Sequence, residues 1–114
     1  MTITMKRVYE APAPSDGRRV LVDRLWPRGC SKEKARIDHW AREIAPSTAL
    51  RKWYGHAPAR WDEFRRRYFA ELDANPEEVR ALRVALGKGR ATLLFSSKEE
   101  RLNNAAALLE YLRR

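Results

Sequence analysis

Within the stretch RVLVDRL at residues 19–25, Val20, Leu21 and Val22 place three apolar side chains in unbroken succession. A strand with one wet face alternates apolar and polar residues, whereas an unbroken run needs cover on both faces. The loop APAPSDGRR precedes this run and a Trp-Pro-Arg-Gly corner ends it, so it has the length of a strand. RATLLFSS at residues 90–97 has the same character. Strands covered on both faces are typical of parallel sheets. Near the N-terminus ITMKRV adds a short strand of mixed period.

Helical signals lie between and after these runs. PSTALRKWYGH has Ser47 as N-cap, Leu50, Trp53 and Tyr54 on one face, and Gly55 as its stop. In PARWDEFRRRYFAEL, Trp61, Phe64, Tyr68 and Leu72 recur every three to four residues, and Asp62–Arg66 and Glu63–Arg67 have i,i+4 pairing distance. NPEEVRALRVALGKG opens with Asn75 as cap and Pro76 at the first position, and ends at Gly87 or Gly89. SKEERLNNAAALLEYLRR predicts a closing helix from a Ser97–Glu100 capping box, with Leu102, Ala105, Leu109 and Leu112 as its buried stripe. Ser31 is placed to cap a short helix, and IDHWAREIAPS reads equally as strand or helix. Alternating strands and helices predict an α/β fold: a small single domain over 1–114, with a mainly parallel central sheet flanked by helices. A chain of 114 residues with 44% hydrophobic side chains builds one core of this kind.

Both apolar runs end in polar corners. The first runs into Arg24, Trp26, Pro27, Arg28 and Gly29, and the second into Ser96, Ser97 and Lys98. Parallel strands bring such corners to one edge of the sheet, where open α/β sheets bind ligands. There Arg24 and Arg28 suit a bidentate anion grip, with Trp26 as a flat wall and Ser97, Lys98 and a helix start nearby. Asn103 falls on the same side and offers an amide. The bland alternative has Asp23 and Arg24 pairing with helices, Trp26 in the core and Ser97 merely capping. A second cluster, Arg51, Lys52, Trp53, Tyr54 and His56, repeats the mixture of cations and aromatics. His56 is the default acid or base, with helix capping as its competing role. No nucleophile accompanies it, and no Walker loop, GxGxxG or metal-ligand spacing is present, so neither a reaction nor a cofactor is implied.

The stretches VDRLWPRGCSKEKARIDHWAREIAPSTALRKWYGH, RWDEFRRRY and TLLFSSKEERLNNAAALLEYL together resemble the bacterial YeaO-like family, domain of unknown function 488, from Val20 to Leu112. The resemblance implies a small α/β domain. It puts Arg24, Trp26, Arg28, Lys32, Trp40, Arg51, Trp53, His56, Arg67, Tyr68, Lys98 and Asn103 among the characteristic motif positions, with no role attached to any. This chain departs from the pattern at Cys30, usually aliphatic, at Leu102, often His, and at Ser96-Ser97, often Gly-Ala.

The excess of 24 Lys and Arg over 15 Asp and Glu, a net charge of +9, favours acidic partners. Three classes follow: a binder of a small phosphate- or carboxylate-bearing molecule, a nucleic-acid module using Arg and Trp, or an accessory protein burying its tryptophans against a partner. The single Cys30 makes no intramolecular disulfide, and neither a signal-peptide run nor a membrane span is present. A cytoplasmic protein is the expectation; nothing in the residues specifies an oligomeric state.

Overall fold

The computed structural model describes residues 2–114. Four strands form one sheet: β1 (Thr2–Arg7), β2 (Arg18–Leu21), β3 (His39–Trp40) and β4 (Arg90–Phe95). Their spatial order is β1-β4-β2-β3 and every neighbouring pair is parallel. Four helices accompany them: α1 (Thr48–Tyr54), α2 (Trp61–Asp73), α3 (Pro76–Leu86) and α4 (Asn104–Leu112). The α/β class read from the sequence is therefore the class observed.

Period-two alternation explains the two covered faces. Val20, Val22, Ala91, Leu93 and Phe95 point to one side and pack with Leu50, Phe64, Tyr68, Leu82 and Leu108 from all four helices. Leu21 and Leu94 point to the other side, to which none of these four helices contributes core residues. There they meet Ala35 and Ile37, with Trp26, Cys30 and Trp40 alongside. The flanking helices thus share one face, and the turn-rich segment after β2 roofs the other. Val20, Leu21, Leu93 and Leu94 are fully buried, each removing apolar surface equivalent to about 1.5–3 kcal/mol.

The roofed face contains a buried ion pair. Arg19, 3% exposed, donates to Asp16 at 2.6 Å and to the Ala35 carbonyl at 2.9 Å. Asp16 also accepts from Lys6 at 3.2 Å and from the Ala13 N–H at 2.9 Å. Burial by itself would raise the Asp16 carboxyl, but these donors outweigh it and hold the group below its ordinary value. Beside it Gly17 has φ +63°, and a Cβ there would lie 2.1 Å from the Arg90 carbonyl oxygen. Only glycine lets the chain pass this close to β4.

Several local expectations change on folding. The closing helix begins at Asn104, not Ser97: Asn103 caps it by accepting the Ala106 N–H at 2.8 Å. Ser97 instead accepts from Glu99 and Glu99 from Arg101, local bonds that compete with helix formation. The buried stripe shifts accordingly to Ala105, Leu108 and Leu112. Ser31 accepts the Lys34 N–H, but the turn stops at Arg36, which has φ 49°. IDHWAREIAPS divides into β3 and a single turn of 3-10 helix at Arg42–Ile44. Asn75 holds the cap position of α3 without a side-chain cap bond. Asp62 pairs with Arg65 rather than Arg66. Ser47 caps α1, and Gly55, at φ 52°, ends it. No helix among the described residues is long and apolar enough to cross a membrane.

Candidate functional site

Parallel strands all discharge at one edge of the sheet, and the segments leaving them enclose a cleft of about 670 Å³ there. The segment after β1 supplies Tyr9, and the one after β2 supplies Asp23 through Arg28. The chain after β3 contributes Ala45, Pro46 and Thr48, then Arg51, Lys52, Tyr54 and His56 from α1 and its end. Ser96, Ser97 and Asn103 come from the connection between β4 and α4, Asn104 from the first position of α4, and Phe64 of α2 completes the lining.

Asp23 organises the floor. One carboxylate oxygen accepts the Ser96 N–H at 2.8 Å and the Ser96 hydroxyl at 2.7 Å; the other accepts the Asn104 amide at 3.2 Å. The same amide donates to the Val22 carbonyl at 3.2 Å. The ends of β2 and β4 are thereby tied to the start of α4, and the acid's charge is met by three donors.

The segment leading into α1 is held by three side chains. Tyr68 donates to the Ile44 carbonyl at 2.7 Å, and its burial pushes the phenol well above its ordinary value. Glu71 accepts the Ser47 N–H at 2.9 Å and the Ser47 hydroxyl at 2.6 Å. Arg24 donates to the Ala45 carbonyl at 3.0 Å and lies 3.7 Å from Glu43. Tyr54 stacks on Phe64 with ring centroids 4.4 Å apart and donates to the Leu102 carbonyl at 2.8 Å. Gly55 and His56 are both left-handed, at φ 52° and 57°, and this double turn puts His56 on the lining. For a histidine that conformation is strained, as residues at binding sites often are.

The cations fall into two kinds. Arg24 is a brace. Arg28, Arg51 and Lys52 are exposed and, among the described residues, take part in no side-chain hydrogen bond or ion pair, although Tyr9 donates to the Arg28 carbonyl at 2.9 Å. His56 and Thr48 likewise have no side-chain hydrogen-bond partner. Glu99 stands near His56; the backbone N–H groups of Arg101 and Leu102 chiefly hold its carboxyl below the ordinary range, and the His56 and Arg101 charges add to this.

Of the residues the sequence nominates, the fold brings Arg24, Trp26, Arg28, Arg51, His56, Ser97 and Asn103 to the cleft. Two lie outside its lining. Trp53 is covered by Arg67 at 4.2 Å and Arg60 at 5.3 Å. Lys98 is exposed beyond the rim, because no helix begins at Ser97 to carry it inward. The Asn103 amide is spent on its cap and on the Glu99 carbonyl. Sequence reasoning misses Asp23, Ser96 and Asn104 as a unit, and also the bracing roles of Tyr68 and Glu71. The advance signal for Asp23 and Ser96 is their position at strand exits; Asn104 opens α4 and carries no such signal. No cluster of three or more His, Cys, Asp or Glu side chains suited to a metal occurs among the described residues.

Comparison with known proteins gives a consistent picture. The chain is 43% identical over 113 residues to "Uncharacterized protein YeaO" of Escherichia coli (strain K12), covering 99% of this chain and 98% of that one. It is 40% identical over 110 residues to "Uncharacterized protein Rv3073c" of Mycobacterium tuberculosis (strain ATCC 25618 / H37Rv), covering 96% and 92%. No solved structure matches it significantly. A family model described as "Inactive DUF488-N3 subclade" matches residues 2–114. The chain therefore belongs to the DUF488-N3i family, and its resemblance to YeaO-like proteins is borne out.

Proposed function

We propose that this protein binds a small anionic molecule, bearing phosphate or carboxylate, in the cleft at the carboxyl ends of its strands. The observation that carries this reading is the set of three cations, Arg28, Arg51 and Lys52, unpaired among the described residues, on a cleft where Asp23 and Arg24 are internally satisfied. Cations held without partners beside a concavity favour an anionic guest. Arg24 serves by holding Ala45 and Pro46 in place, a positioning role rather than a grip. Lys98 contributes long-range attraction at most.

Binding rather than turnover fits the remaining features. Among the described residues His56 has no hydrogen-bond partner to orient it as a base. The family description includes the word "inactive", which agrees with a binding role. Nucleic-acid recognition through Arg65, Arg66 and Arg67 gains no support: all three are paired, with Glu110, Asp62 and Glu63.

Thermal unfolding with ribose 5-phosphate and inorganic phosphate tests the reading. A ligand at about 100 times its Kd adds roughly 2.7 kcal/mol, a rise in Tm of several degrees for a domain of this size. The Arg28→Ala/Arg51→Ala variant, altered only at exposed positions, is expected to fold normally and lose the rise. An unchanged wild-type Tm with both anions, or an equal rise in the variant, refutes the proposal.

A further inference from the structure

The apolar part of the rim bears on which anion the cleft accepts. Only three large hydrophobic side chains are exposed among the described residues: Tyr9 at 47%, Leu25 at 63% and Val84 at 72%. Two of the three, Tyr9 and Leu25, line this cleft. Single exposed apolar residues are ordinary, but their concentration at one concavity marks a surface meant to be covered.

The neighbouring aromatic is immobilised. The Trp26 indole N–H donates to the Cys30 carbonyl at 2.8 Å, and its ring meets Trp40 edge-on with centroids 5.2 Å apart. Trp26 therefore lines the cleft as a fixed plane and loses little freedom when a guest covers it. Tyr9 is similarly held: its hydroxyl bonds the Arg28 carbonyl, and Arg7, anchored on the Ser96 and Ser97 carbonyls, lies 5.1 Å from its ring centre. Leu25 sits between a braced arginine and this fixed indole. The chain thus presents a rigid apolar surface directly beside Arg28, within a volume typical of small-molecule sites.

We propose that the ligand carries a flat aromatic ring next to its anionic group, as a nucleoside monophosphate does. The ring covers Leu25 and Trp26, and the phosphate lies among Arg28, Arg51 and Lys52. This deepens the anion-binding reading and rests on it. An anion without a ring leaves Tyr9, Leu25 and Trp26 wet, whereas a ring-bearing one removes that apolar surface from water. Thr48 and His56, both without side-chain hydrogen-bond partners among the described residues, supply hydrogen bonds to the ring edge or the sugar.

Calorimetric titration with adenosine 5′-monophosphate and ribose 5-phosphate separates the two levels. The nucleotide is expected to bind about ten-fold more tightly, as one stacked base contributes. Leu25→Ser, at an exposed position, is expected to bring the nucleotide close to the affinity of ribose 5-phosphate and to leave ribose 5-phosphate unchanged. Equal affinities in the wild type overturn the ring proposal and leave the anion reading standing. Tighter nucleotide binding that Leu25→Ser does not alter also overturns it, because the ring then lies elsewhere. Absence of binding by both overturns both readings. A short single-stranded oligonucleotide that binds with steep salt dependence while the mononucleotide does not overturns it in favour of a nucleic-acid site.

Discussion

Asp16→Asn removes a charge and the acceptor oxygen that faces Lys6 alone. The Asn oxygen still accepts the Ala13 N–H and one bond from Arg19, so shape and local turn are retained. What disappears is the carboxylate that compensates Arg19, 3% exposed on the roofed face of the sheet, with its second Nη already lacking a partner. Stripping one member from a buried pair costs about 3–5 kcal/mol, and the surviving neutral bond places this case near 3. Against a total stability of about 5–15 kcal/mol the domain stays folded, with Tm lowered by about 12 °C. Circular dichroism melts and urea titrations measure this. Arg19→Met in the same chain removes the stranded charge, so the double variant is expected to be more stable than Asp16→Asn alone. The pH dependence has a definite sign. Folded Asp16 binds its proton less tightly than the unfolded chain does, so its contribution is complete above about pH 4 and is lost as pH falls through the lower folded value. Asp16→Asn should therefore lose stability less steeply than wild type below that pH. A cost under about 1 kcal/mol, or a double variant no better than the single, refutes the argument from uncompensated charge.

Two further substitutions probe the two ends of the sheet, Gly17 where β2 and β4 begin and Asp23 on the floor of the cleft. Gly17→Ala drives a methyl group into the Arg90 carbonyl at a left-handed position, and is expected to cost more than about 2 kcal/mol in urea unfolding; a neutral result would show that the chain moves away from β4 freely. Asp23→Asn turns a carboxylate that accepts from Ser96 and Asn104 into a group that must also donate. A loss of about 1–3 kcal/mol is expected by the same measurement, and no loss would show that the floor does not depend on this acid.

The elements were mostly legible before folding, for local reasons. Ser47 and Gly55 bound α1 because a hydroxyl cap and a left-handed stop act within one turn. The spacing of Phe64, Tyr68 and Leu72 marks the buried face of α2 because helical period is a property of the chain itself. The start of α4 is not legible in this way. Ser97 and Asn103 are both competent caps; the folded chain uses Asn103, next to the Leu102 carbonyl that Tyr54 holds from 48 residues away.

The site divides along the same line. Sequence alone determined that Val20-Leu21-Val22 and the run through Phe95 are doubly covered strands, and that Arg28, Arg51, Trp26 and His56 merit attention at their exits. It determined these because burial pattern and residue chemistry are carried by neighbouring letters. Only the tertiary structure decided the strand order β1-β4-β2-β3, which gathers four exits into one cleft. It alone separated Arg24, spent on backbone carbonyls, from Arg28, left unpaired, although the two stand four residues apart in the same motif. It likewise put Trp53 under two arginines and Trp26 on the cleft. Whether a charge is free is set by what lies within about 4 Å of it, and those neighbours come from distant parts of the chain.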